Sequence, residues 1–162
     1  MLYDKPMAVG RIAIDAPAAD VYRIISDPPV MITFAEEAYR AHWLDGAAGA
    51  AVGARFRGHN RKGRRHWYTN CTILEAEPDR RFAYRVDTAF RLPISRWEYD
   101  IAPTADGRGC VVTETNWLRA PLWFIPIALL ITGTFNRPGA NRRHIVTTLE
   151  RIKRHLETPQ AA

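Results

Sequence analysis

The sequence predicts an α+β fold in which a curved antiparallel sheet of seven strands surrounds a long C-terminal helix, with two short helices after the first strand. Three observations predict it. Six strand-like runs between Tyr39 and Leu118 follow one another through turns too short for parallel crossovers, which take about a dozen residues. Ahead of them, one strand-like run is followed by two short helical patterns punctuated by proline. Behind them, Ile145, Leu149, Ile152 and Leu156 recur as a single apolar stripe on a helix whose first turn is pre-set by Pro138.

The elements follow in order. Val9, Ile12 and Ile14 mark a first strand from about Ala8 to Ala16. Pro17 opens a helix carrying Val21, Ile24 and Ile25, and Asp27-Pro28-Pro29 ends it. A second short helix over Val30–Glu37 places Met31, Phe34 and Ala35 on one side. The strands are then Tyr39–Leu44, Gly53–His59, Arg65–Glu75, Arg81–Asp87, Ile94–Ile101 and Cys110–Leu118. Asp45-Gly46, Arg61-Lys62-Gly63, Pro78-Asp79, Leu92-Pro93 and Asp106-Gly107 separate them as turns. The last helix runs to Leu156, and burying its four aliphatics contributes at most about 1.5–3 kcal/mol each. That helix cannot cover the whole apolar face of seven strands, so interior space is expected to remain.

The 162 residues fit one domain, 1–162, without repeat, linker or low-complexity tract. A hydrophobic content of 47% and a charged content of 25% are ordinary for a globular chain. The start, MLYDKPMAVG, lacks the features of a secretory signal, so the expectation is cytoplasmic. Cys71 and Cys110 sit in strand-like runs and read as buried free thiols. The apolar stretch Pro121–Gly133 is too short to span a bilayer, and Pro126 interrupts it, which leaves a buried segment, a lid or a peripheral membrane contact over 121–134.

Four segments carry a family resemblance: IDAPAADVYRIISDP (14–28), VGARFRGHNRKGRRHWYTNCTILEAEPDRRFAYRV (52–86), WEYDIAPTADGRGCVVTE (97–114) and TLERIKRHLE (148–157). Together they resemble the START/Bet v 1-like (SRPBCC) superfamily of helix-grip folds, and within it the bacterial polyketide cyclase/dehydrase-like proteins. The resemblance implies an internal pocket for a hydrophobic small molecule, a lipid, polyketide-like or aromatic compound. It supplies no universal catalytic motif.

Strand parity selects the pocket face. Phe82, Tyr84 and Val86 alternate with Ala83, Arg85 and Asp87, and the same logic turns Trp97, Tyr99 and Ile101 inward, with Trp67, Thr69, Cys71 and Ile73 on the long central strand. Phe34, Phe56, Trp67, Thr69, Tyr84, Trp97, Tyr99, Asn116 and Asn141 are the candidate ligand contacts. Taking Val112 as inward carries Glu114 and Asn116 inward too, and Glu114 becomes the candidate acid/base, because a buried carboxylate is costly unless paired or protonated. Two alternatives stand beside that role: a structural ion pair with an arginine, or a register turning Thr113, Thr115 and Trp117 inward.

Other chemistry is disfavoured. Ser26 and Ser95 lie outside any nucleophile elbow, the five histidines show no metal-ligand spacing, and no glycine-rich phosphate loop occurs, so neither cofactor nor metal is expected. The net charge of +6 permits anionic partners. Dispersed basic residues without a recognition motif make nucleic acid an unlikely partner, and the sequence leaves the oligomeric state open. Three functions remain: a binding module, a cyclase/dehydratase-type enzyme using Glu114 or a tyrosine, and a lipid-transfer protein working at a membrane surface.

Overall fold

The computed structural model describes residues 4–158. In chain order these form β1 (Ala8–Ile14), α1 (Ala18–Ile25), α2 (Pro28–Met31), β2 (Ala38–Trp43), β3 (Arg55–Lys62), β4 (Arg65–Glu77), β5 (Arg81–Asp87), β6 (Pro93–Pro103), β7 (Cys110–Leu118), α3 (Ile125–Thr132) and α4 (Arg137–Glu157). The strands make one sheet in the order β1-β7-β6-β5-β4-β3-β2, with every neighbour antiparallel. The expected architecture is therefore the observed one.

Two local expectations change. The second helix is a single turn, because Pro28 and Pro29 occupy its first positions, where a missing N–H costs nothing, and the chain then leaves Met31 through successive i→i+3 bonds as far as Ala35. Pro126 likewise starts α3 instead of interrupting an apolar run, following a 3₁₀ turn at Leu122–Phe124.

Cross-strand partners define the inner face. Ala8, Asn116, Trp97, Tyr84 and Ile73 form one row across five strands, and Gly10, Glu114, Tyr99, Phe82 and Ala76 form the next. An irregularity between Ile73 and Glu75 shifts β4 by one residue, so Ala76 continues the inner face and Glu75 joins the outer one. On that outer face Arg81 pairs with Glu75, Glu98 and Asp100, and Arg96 pairs with Glu75 and Glu98. Such half-exposed pairs add little stability singly, but as a lattice they keep the convex surface wet.

Helix α4 lies along the margin of the sheet. Its backbone contacts concentrate on β1, with fewer to β7 and α1. Gly10 permits this approach, since a Cβ there would fall well inside contact distance of Ile145 Cγ2. The opposite flank of α4 is held by the turn and bend residues that lead into β2. Arg137 bonds Glu37 at 3.0 Å, His144 lies 3.3 Å from Glu36, and Arg151 donates to the carbonyls of Phe34 and Ala35. Asn136 caps the helix by accepting from the Gly139 N–H at 3.0 Å.

The apolar segment ahead of α4 sits over the β3–β4 hairpin. Arg65 Nε donates to Leu130 O at 3.3 Å, and Lys62 Nζ donates to Gly133 O at 3.3 Å and to Thr134 Oγ1 at 2.7 Å. Gly133 ends α3 in the left-handed region at φ 65°, where a side chain would also strike Arg65.

Gly10→Val should therefore cost about 1–3 kcal/mol of stability, because the β-branched Ile145 has one favoured helical rotamer and cannot swing aside. In urea unfolding, Gly10→Ala combined with Ile145→Ala should lose less than the sum of the single losses. Strict additivity would show that this contact does not set the helix position.

Candidate functional site

The inner face carries a continuous aromatic path. Trp43 meets Phe56 at 6.1 Å between centroids, Phe56 meets Tyr84 at 5.3 Å, Tyr84 meets Phe82 at 5.8 Å, and Phe82 meets Tyr22 of α1 at 6.5 Å. These residues come from β2, β3, β5 and α1: Trp43 and Phe56 are direct ladder partners, Phe82 and Tyr84 stand two apart on one face of β5, and Phe56 reaches Tyr84 across β4. Phe82 is fully enclosed beneath α1. Tyr84 and Trp97, paired at the centre of the sheet, remain partly accessible, as do Trp67 and Thr69 toward the end where α3 meets β4. Central residues on a concave face keep access only where nothing lies on top of them, and α4 is at the margin.

A polar centre sits within this surface. Tyr99 on β6 and Glu114 on β7 are direct ladder partners, and the Tyr99 hydroxyl donates to Glu114 Oε1 at 2.7 Å. Glu114 is 3% exposed, and among the described residues its Oε2 has no hydrogen-bond partner. Burial pushes the carboxyl up to about 8, opposed in part by the Tyr99 hydrogen bond, so the group holds a proton at neutral pH. Burial likewise drives Tyr99 and Tyr84 well above the usual phenol range, reinforced in both by the nearby Glu114 charge. At neutral pH the cluster is a set of uncharged donors and acceptors inside an apolar wall.

The register of β7 settles the alternatives left by parity: Val112, Glu114 and Asn116 face inward, and no arginine pairs with Glu114 among the described residues. Asn116 and Asn141 meet each other. Asn141 Nδ2 donates to Asn116 Oδ1 at 2.7 Å, and Asn116 Nδ2 donates to Arg96 O at 3.3 Å, which ties the start of α4 to β7. Phe34 lies apart from the central cluster. Its ring packs edge-on against His155 near the end of α4, at 5.3 Å, and closes that end of the interior. Phe56 lies on the aromatic path, and Trp67 faces the α3 end.

Trp43 and Tyr22 belong to the same surface and were not among the sequence candidates. Trp43 ends a strand whose other residues alternate weakly, and Tyr22 faces inward from a helix. Cys71 and Cys110 are free and buried; burial pushes the Cys71 thiol up to about 12 and raises Cys110 as well, which disfavours the thiolate in both. Among the described residues, no group of three or more histidine, cysteine or acidic side chains is arranged to hold a metal ion. A depression of about 360 Å³ lined by Glu75, Glu77, Arg80, Arg81 and Asp100 is charged and belongs to the outer ion-pair lattice.

Residues 8–157 match the family described as polyketide cyclase / dehydrase and lipid transport. No curated protein matches the chain. Among solved structures, the polyketide cyclase-like protein Cgl2372 of Corynebacterium glutamicum is 26% identical, with a TM-score of 0.61 over 94% of this chain and 93% of its own. A START superfamily protein of Mycobacterium smegmatis is 12% identical, with a TM-score of 0.66 over 92% of this chain and 97% of its own. DynU16, a protein of the dynemicin biosynthetic locus, is 15% identical, with a TM-score of 0.60 over 93% of this chain and 47% of its own. The latter two show a common fold, the helix-grip arrangement of sheet and terminal helix.

The raised Glu114 carboxyl makes stability depend on pH. The unfolded chain releases this proton near the ordinary value of 4.5 and the folded chain near 8, so stability is greatest below the first value and falls as pH climbs toward the second. Glu114→Gln removes the titration and keeps the shape. Relative to that variant, the native chain should lose up to about 1.4 kcal/mol per pH unit across this window in denaturant melts. A pH-independent difference would mean that the carboxyl is ionised in the fold. Tyr99→Phe should raise the carboxyl further and destabilise by about 1–3 kcal/mol by orphaning Oε1.

Proposed function

Because the chain belongs to the polyketide cyclase/dehydrase and lipid transport family, we propose that its 162 residues act as one unit that binds a hydrophobic small molecule between α4 and the centre of the sheet. The carrying observation is the partial accessibility of Tyr84 and Trp97 in the middle of the concave face, flanked by Phe56 and Trp67. Rings present apolar surface at low conformational cost, while the Tyr84 hydroxyl and the Tyr99–Glu114 pair offer neutral hydrogen bonds at one place. That combination favours a lipid, polyketide-like or aromatic ligand with one uncharged oxygen function. An anionic group placed against Glu114 would meet a carboxyl at the edge of ionisation and be repelled as pH rises.

A second reading rests on the proton that Glu114 retains. A carboxyl held neutral close to pH 7 is suited to general acid catalysis, and a cyclisation or dehydration needs a proton delivered to a leaving or carbonyl oxygen and another taken up. Tyr99, donating to Oε1, would leave that proton on Oε2, which has no hydrogen-bond partner among the described residues. The binding reading requires no proton transfer and is preferred.

Thermal shift against a library of fatty acids, sterols and aromatic polyketides, with native mass spectrometry of the gently purified protein, tests the primary reading. A bound ligand at about a hundred times its Kd should add about 2.7 kcal/mol of stability, and Trp97→Ala should weaken that gain. A library without effect and a protein free of adducts would remove it. For the enzymatic reading, Glu114→Gln should lower turnover on an identified substrate by about 10²–10⁴ while binding persists. Undiminished turnover would exclude Glu114 from the chemistry.

A further inference from the structure

The outer surface of the segment between β7 and α4 is unlike the rest of the molecule. Leu122, Trp123, Ile127, Leu130, Ile131 and Phe135 all project into solvent, with Trp123 at 66%, Leu130 at 71% and Phe135 at 80% exposure. The sequence of α3, IPIALLIT, contains no charged residue, and only Thr132 within it is buried. A solvent-facing helix ordinarily carries a polar face, and a contiguous apolar patch marks a surface with something to cover it.

The strand register assembles more of the same chemistry at this end. The β3–β4 hairpin tip, the β5–β6 turn and the end of β7 all lie there. The turn presents Phe90, which is 93% exposed, beside Arg91. No aspartate or glutamate occurs in the stretches 53–74, 88–97 and 115–149, which build most of this surface. The same stretches supply the exposed Lys62, Arg64, Arg65 and Arg91. Acids that approach from elsewhere are engaged: Glu37 with Arg137, Glu36 with His144 and Asp87 with Arg85.

We propose that this end of the protein docks on an anionic lipid bilayer, with the α3 side chains, Trp123 and Phe135 entering the headgroup region and the hairpin and turn cations meeting lipid phosphates. Apolar area and cationic charge on one face are the two components of interfacial binding, and an aromatic ring suits the boundary between headgroup and acyl chain. A second copy is a poorer occupant, because two acid-poor cationic ends would have to approach each other. Among the described residues no helix is long and apolar enough to cross a membrane, so the contact is peripheral. This proposal goes beyond small-molecule binding and does not depend on it.

Vesicle flotation of the full chain tests it, with phosphatidylcholine alone and with about 30% phosphatidylglycerol. The expected result is flotation on the anionic vesicles, a drop of roughly tenfold on the neutral ones, and a similar drop between about 0.1 M and about 0.5 M salt. Trp123→Ala with Phe135→Ala, and separately Arg64→Glu with Arg91→Glu, should each weaken flotation while circular dichroism and thermal melting stay native, since all four positions are exposed. Val52→Asp, an exposed apolar site in the β2–β3 loop at the opposite end, should float as the native chain does. No flotation on either vesicle, equal flotation on both, or indifference to the Trp123/Phe135 pair would overturn the proposal. So would a lipid-independent dimer, seen by sedimentation, that Trp123→Ala dissolves.

Discussion

The interior of this protein is organised by the absence of one side chain. Gly10 on the edge strand lets Ile145 seat directly on the backbone of β1, and contacts from Arg137, His144 and Arg151 hold the other flank of α4 against residues 34–37. The helix is thereby fixed along the gap between the two margins of the sheet. Its apolar stripe is satisfied there, with Ile145, Leu149 and Ile152 fully enclosed. Over the middle strands α1 packs on β5 and β6 and α3 on β4, and the inward aromatic residues left between them form a wall instead of a sealed core. An ordinary Cβ at position 10 would push α4 away from β1 and toward the space it now leaves free.

Charge is divided sharply between the two faces. Outside, Arg81 and Arg96 each bridge several carboxylates where water shares the cost of ionisation. Inside, the Glu114 carboxyl is bonded to the Tyr99 phenol and, among the described residues, pairs with no cation. Holding a charge there would require a desolvation far larger than one hydrogen bond returns, and retaining the proton avoids it. The result is a polar feature with no net charge, compatible with an apolar guest.

Much of this arrangement was legible in the residues. Turn chemistry at Asp45-Gly46, Gly63, Pro78-Asp79 and Asp106-Gly107 separated the strands, and alternation turned Phe82, Tyr99 and Ile101 inward. Alternation reached no further than Ile73 on β4: the irregularity after it places Glu75 in the outer lattice, which no composition rule announces. Nor does alternation say which inward polar groups will find each other. Asn116 and Asn141 satisfy one another across 25 residues of chain, and only the tertiary placement of α4 brings them together. Phe34 was assigned by helical spacing to an element that lasts a single turn, so its ring follows the chain toward His155. Pro126 was read as interrupting the apolar stretch, although its missing N–H equally suits a first helical turn.

The position of β1 in the sheet sets the order of events during synthesis. Of the seven strands this one is made first, yet among the described residues its ladder partner is β7, about a hundred residues later, and α4, which covers it, follows β7. The hairpins from β2 to β7 have local partners and can form as they emerge. The first strand must wait with one edge and one face unsatisfied until β7 and α4 have been made, so closure of the domain is a long-range and comparatively slow step.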